Sequence, residues 1–131
     1  MLLNVRRLIF RQNMPNNRLN KTIAGYHLLM ILSAADGHVG FPADLIIRDY
    51  LVTEFPFRVN LDREMGIISN LRRDEHEAHF QKMMDDFYDD ATEEERKRLL
   101  RFALKLTKAD NVITPAENRF LNMLFETWEE V

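Results

Sequence analysis

Ala35-Asp36-Gly37-His38-Val39-Gly40-Phe41-Pro42-Ala43-Asp44 returns near the far end of the chain as Ala109-Asp110-Asn111-Val112-Ile113-Thr114-Pro115-Ala116-Glu117. Each copy follows an apolar stretch with helical spacing and opens another. Asp36 and Asp110 are 74 residues apart and Pro42 and Pro115 are 73 apart, so the first turn holds one extra residue, assigned to Gly40. Past the turn, Ile47 matches Phe120, Tyr50 matches Met123 and Leu51 matches Leu124, which keeps the apolar positions in phase. A repeated helix, acidic turn and helix predicts an all-α, pseudo-twofold bundle built from two helix-turn-helix repeats.

Outward from the repeat, Ile23, Tyr26, His27, Met30, Ile31 and Ala34 recur at three- and four-residue intervals and predict one buried face of a helix over 19–35. Pro42 suits a first helical turn, and Leu45, Ile46, Tyr50 and Leu51 carry that helix to Glu54. Asn60 is placed to cap a short helix through Leu61, Met65 and Ile68, and Asp74 with Glu77 marks a further helix start before Phe80, Met83, Met84 and Phe87. Thr92 with Glu95, and Thr114 with Glu117, have the spacing of capping boxes. No segment alternates with the period of a half-buried strand.

The chain of 131 residues has no Cys, four Gly, four Pro and 46% hydrophobic residues, which bounds it to a single core without disulfides or thiolate chemistry. A net charge of −3 conceals an uneven distribution. Arg6, Arg7, Arg11, Arg18 and Lys21 give residues 1–35 a charge of +5 with no acid, and the other 13 bases and 21 acids leave −8 on the remainder. The reading is a basic, apolar segment over 1–18 ahead of one helical domain over 19–131. Two roles for the head stay open. It docks on its own acidic body, or Leu2, Leu3, Val5, Leu8, Ile9 and Phe10, interleaved with Arg6, Arg7 and Arg11, lie on an anionic membrane surface. An acidic body with pI near 5.8 argues against a nucleic-acid partner. No secretory signal is legible, so the expected location is the cytoplasm, with peripheral contact at the inner membrane if the head binds lipid.

Ala109-Asp110, an aliphatic Ile113 three residues on and Glu117 opening the next helix resemble the TerB family of tellurite-resistance proteins, a module that also occurs in membrane-associated J-domain cochaperones. The likeness covers roughly residues 19–129. The first copy departs from it through a longer turn and Asp44 in place of Glu, and the second through Asn111 in place of Gly. The resemblance implies a helical scaffold with an acidic, ion-binding surface in a bacterial stress-response setting, in company with protein partners.

Asp36, Asp44, Asp110 and Glu117 are accordingly the candidate ligands for a divalent cation, since hard cations take several oxygen donors and two equivalent turns would deliver them. Neither turn has the ligand spacing of an EF-hand. A competing reading makes Glu117 a capping residue for Thr114 and makes Asp36 and Asp110 turn residues. The alternative function is a protein-interaction module without an ion. His76-Glu77-Ala78-His79 is not a zinc-protease helix, because its histidines are three apart where that motif needs four. His76 falls on the apolar stripe of its helix. Met83, Met84 and Phe87, with Phe55 and Phe57, belong either to the core or to a partner groove. No catalytic grouping is present in the sequence, and an enzyme is not expected.

Overall fold

The computed structural model describes residues 19–35, 41–55, 59–108 and 113–128, with side chains of Phe41 and Pro42 excepted. Among these residues the protein is all helical. In chain order the elements are α1 (Lys21–Ser33), α2 (Phe41–Glu54), α3 (Leu61–Ser69), a short 3-10 turn (Arg73–Glu75), α4 (His76–Asp90), α5 (Glu93–Lys108) and α6 (Pro115–Trp128).

Three of the caps read from the sequence form as expected, α1 gains a further one at Asn20, and one reading fails. Asn20 Oδ1 accepts from the Ile23 amide and Asn60 Oδ1 from the Arg63 amide. Thr92 and Glu95 exchange bonds across the first turn of α5, as Thr114 and Glu117 do in α6. Each exchange satisfies two backbone donors that have no partner inside their own helix. The exception is α4. Asp74 does not pair with Glu77 there; Glu75 Oε1 accepts from the Arg72 amide at 2.8 Å and draws residues 73–75 into the 3-10 turn.

α1 is the axis of the bundle and makes contact with α2, α3, α4, α5 and α6. The spacing of its apolar residues predicts a single buried face. Every residue from Ala24 to Leu32 is buried instead, because Leu28, Leu29 and Leu32 fill the faces that the Tyr26 and Met30 stripe leaves over. A helix apolar all round is stable only where neighbours surround it. α5, by contrast, is buried along one face only, through Leu99, Leu100, Ala103 and Thr107.

Gly25 lets α1 come this close to its neighbours. A Cβ at that position would lie 3.3 Å from Leu51 of α2, 3.3 Å from Phe87 of α4 and 3.4 Å from Leu99 of α5. Aromatic pairs close the remaining seams. Tyr50 stacks on Phe102 at 4.0 Å between centroids, Phe87 stacks on Trp128 at 5.3 Å, and Phe80 tilts against Phe120 at 4.8 Å. Met83, Met84, Phe87 and Phe55 are all buried in this core, which removes them as a partner groove; Phe57 lies outside the described residues.

Candidate functional site

Two buried polar networks hang from α1, at neighbouring residues. Tyr26 and His27 point to different sides of the helix, about 100° apart for consecutive residues, and each meets an acid from another element.

On the first side, the Tyr26 hydroxyl donates to Asp44 Oδ1 at 2.6 Å, and Arg48 Nε donates to the same oxygen at 2.9 Å. Arg48 then reaches Asp62 of α3 at 2.7 Å through a second nitrogen. Asp44 is 3% exposed, so its charge needs these donors. Burial and the bond to Asp44 push the Tyr26 hydroxyl well above the usual phenol range. Burial opposes the charge on Arg48, but its bonds to Asp44 and Asp62 outweigh that cost and hold the guanidinium protonated more firmly than usual. The network ties α1, α2 and α3 together.

On the second side, His27 is 1% exposed and bonded through both ring nitrogens. Nε2 is 2.7 Å from Glu64 Oε1 of α3, and Nδ1 is 2.8 Å from His79 Nε2 of α4. A carboxylate only accepts, so Nε2 of His27 carries the proton; neutral His27 then accepts at Nδ1 from His79 Nε2–H. Burial lowers the basicity of His27 against the opposing pull of Glu64. His79 is pushed down to about 4 by burial, then by His27, Lys82 and His76. The three groups stand in line, so they can share and pass one proton along α3, α1 and α4, and they clamp those helices. They do not converge on a point. Among the described residues no set of three or more His, Asp or Glu is placed to hold a metal ion.

Of the four acids singled out in the sequence, Asp36 and Asp110 lie outside the described residues. Asp44 is committed to Tyr26 and Arg48. Glu117 is committed to its own helix start, where its Oε1 accepts from the Thr114 amide at 3.0 Å. Sequence reading missed Arg48, Glu64 and His79 as partners. Arg48 stands at a local i,i+4 spacing from Asp44, whereas Glu64 and His79 meet His27 across 37 and 52 positions, beyond the reach of any local pattern. For these two the one available signal was His27 itself, since an ionisable ring inside the run from Gly25 to Ile31 must find hydrogen-bond partners somewhere.

α2 also carries the protein's conspicuous surface feature. Its inner side, with Asp44, Ile47 and Leu51, is packed against the bundle, while Leu45, Ile46 and Val52 on its outer side are 53%, 50% and 65% exposed. Asp49 and Thr53 are exposed with them. No helix among the described residues is long and apolar enough to cross a membrane. Compared with known proteins, the chain matches no family model, no curated protein and no solved structure.

Proposed function

We propose that this chain is a non-catalytic helical interaction module of TerB type, and that the outer face of α2 is its contact surface for a protein partner. The observation that carries the reading is the exposure of Leu45, Ile46 and Val52 on a helix whose inner side is buried through Asp44, Ile47 and Leu51. Three large aliphatic groups on one side of a helix form a face that gains by being covered. The polar clusters support the same reading, because Asp44 and Glu117 already have partners that account for them. An interaction module is therefore favoured over a cation scaffold.

The TerB-type architecture rests on the in-phase repeat and on the pairing of sequence neighbours, α1 with α2 and α5 with α6. In a pseudo-twofold bundle of this kind the two halves have diverged: α1 has become the buried axis, and α5 has kept a solvated face. A cytoplasmic stress-response assembly is the setting that the family likeness suggests.

The test is co-purification from the native host, comparing the wild type with a variant carrying Leu45→Lys, Ile46→Lys and Val52→Lys. The wild type is expected to elute in a stoichiometric complex, and the variant to elute alone with its melting temperature unchanged. A variant that keeps the complex would overturn the reading. So would a melting temperature of the wild type that rises with millimolar Ca²⁺, Mg²⁺, Mn²⁺ or Zn²⁺ and ceases to do so after Asp36→Asn with Asp110→Asn, since a ligand of the native state stabilises it by mass action.

A further inference from the structure

We infer that the partner docks as an acidic amphipathic helix, seated along the groove between α2 and α5 with its acids against Arg101 and Lys105. This rests on the reading of α2 as a docking surface, and adds the chemistry of what docks there.

α2 and α5 are antiparallel neighbours. Tyr50 stacks on Phe102, and one turn away Glu54 pairs with Arg98 at 2.7 Å, so four residues forward along α2 match four residues back along α5. A Cβ at Gly25 would touch both Leu51 and Leu99, which places α1 beneath the same seam. Tyr50 and Phe102 are partly exposed and form the floor of the groove. On the α2 rim stand the exposed Ile46, four residues before Tyr50, and the exposed Thr53, three residues after it. On the α5 rim stand the exposed Lys105, three residues after Phe102, and the exposed Arg101, four residues before Lys105. The floor is therefore aromatic, one rim aliphatic and the other cationic.

The cationic rim is out of keeping with the rest of the body. Residues 36–131 hold 13 bases and 21 acids, a charge of −8, yet six of those bases fall in residues 96–108 with no acid among them. The first half of α5 mixes the two signs as a solvated helix face does, with Glu93 meeting Lys97 at 3.4 Å and Glu94 meeting Arg98 at 3.7 Å. The second half does not: Arg101, Lys105 and Lys108 are exposed and make no ion pair among the described residues. Lys105 and Lys108 complement the negative end of their own helix dipole, an effect confined to the last turn, and Arg101 stands too far inside the helix to share it. Carboxylates four residues apart on a partner helix match Arg101 and Lys105, about 6 Å apart along the axis at 1.5 Å per residue.

The two rims together select the class of partner. A nucleic acid would engage the cations and leave Ile46 uncovered, and a flat lipid surface would rest on the rims above the Tyr50–Phe102 floor. A second copy docked by twofold symmetry would set one row of cations against the other. An amphipathic helix, about 10 Å across, covers the floor and both rims at once.

Two fluorescein-labelled helical peptides with the same row of leucines are the probes, one with glutamates on the flank facing α5 and one with lysines there. Titrated with the full-length protein and read by fluorescence anisotropy, the glutamate peptide is expected to bind about tenfold more tightly or better than the lysine peptide. Its affinity is expected to fall as salt rises from about 0.05 M to about 0.5 M. In ¹⁵N-labelled protein the amide shifts it causes are expected to cluster in residues 46–53 and 98–108. The variant carrying Arg101→Glu, Lys105→Glu and Lys108→Glu is expected to reverse the order of the two peptides. Acids in a last turn oppose the helix dipole, so Arg101→Gln with Lys105→Gln and Lys108→Gln serves where that variant loses helicity, and it should weaken the glutamate peptide about tenfold.

Equal binding of both peptides, shifts centred on other helices, or affinity unmoved by these substitutions overturns the inference. So does binding of neither peptide. If the chain then binds phosphatidylserine vesicles through the three cations, the surface is a lipid contact; if it sediments as a dimer that the substitutions dissolve, the occupant is a second copy. The two readings fail separately. A host complex lost with the α2 lysines and kept with the α5 glutamates leaves α2 as the docking surface and overturns the acidic partner. A host complex that survives the α2 lysines overturns the α2 reading, whatever the peptides show.

Discussion

Lowering the pH should destabilise this bundle at one identified residue, the half-buried His79. In the unfolded chain a histidine titrates near 6.5, whereas in the fold His79 is pushed down to about 4. The sign follows from linkage. A depressed folded value means that the unfolded state binds the extra proton first, so the native state keeps its full stability above pH 6.5 and loses it as pH falls towards 4. The gap from 6.5 to about 4 corresponds to at most about 3 kcal/mol at 1.36 kcal/mol per pH unit. Over the window from pH 7 to pH 5, and allowing for solvent screening of a half-buried ring, about 1–2 kcal/mol is expected. With His79 Nε2–H donating to His27 Nδ1, the added proton goes to His79 Nδ1 and the hydrogen bond stays, so the cost is that of charging a half-buried ring with Lys82 and His76 nearby. The comparison is with His79→Gln, whose amide can still donate to His27 Nδ1 and cannot titrate. Urea unfolding of both proteins between pH 4.5 and 8 isolates the effect, because every other titrating group is common to both. The wild-type stability should fall below the variant's profile as pH drops through 6.5. Parallel curves would refute the reasoning.

Three further substitutions probe the packing and the caps, each read by chemical denaturation. Arg48→Met leaves the buried Asp44 carboxylate with only the Tyr26 hydroxyl and should cost about 3 kcal/mol, and adding Asp44→Asn should recover part of the loss; a single variant as stable as the wild type would show that Asp44 does not depend on the pair. Gly25→Leu drives a side chain into Leu51, Phe87 and Leu99 and should destabilise by about 2–3 kcal/mol, and a neutral result would contradict the close approach of α1. Thr114→Ala removes the acceptor for the Glu117 amide and should cost about 1 kcal/mol while leaving partner binding unchanged; loss of the partner in that variant would assign the second turn a binding role.

The elements were legible because their causes are local. Asn60, Thr92 with Glu95 and Thr114 with Glu117 state where helices begin within three or four residues of sequence, and all of them cap as read. The place of α1 was not legible. Residues 24–32 fit an amphipathic stripe and an all-round apolar helix almost equally well, and only the helices packed around it decide between them. The same holds for the polar networks. Asp44 looked like a ligand because it matches Glu117 in the repeated acidic turn; its hydroxyl donor is 18 residues back, on the preceding helix. His79 drew attention only as half of a zinc motif with the wrong spacing, although its partner is His27, 52 residues away. Asp36 and Asp110 lie beyond the described residues, so their part in the repeat is still known from sequence alone.

Photo-crosslinking from the exposed face of α2 tests the central claim most directly. A photoreactive amino acid placed at Val52, and as a control at the exposed Lys97 of α5, is irradiated in cells of the native host. The account predicts one defined protein adduct from Val52, lost when Leu45→Lys and Ile46→Lys are added, and no such adduct from Lys97. Equal labelling from both positions, or an adduct from Val52 that survives the lysines, would contradict it.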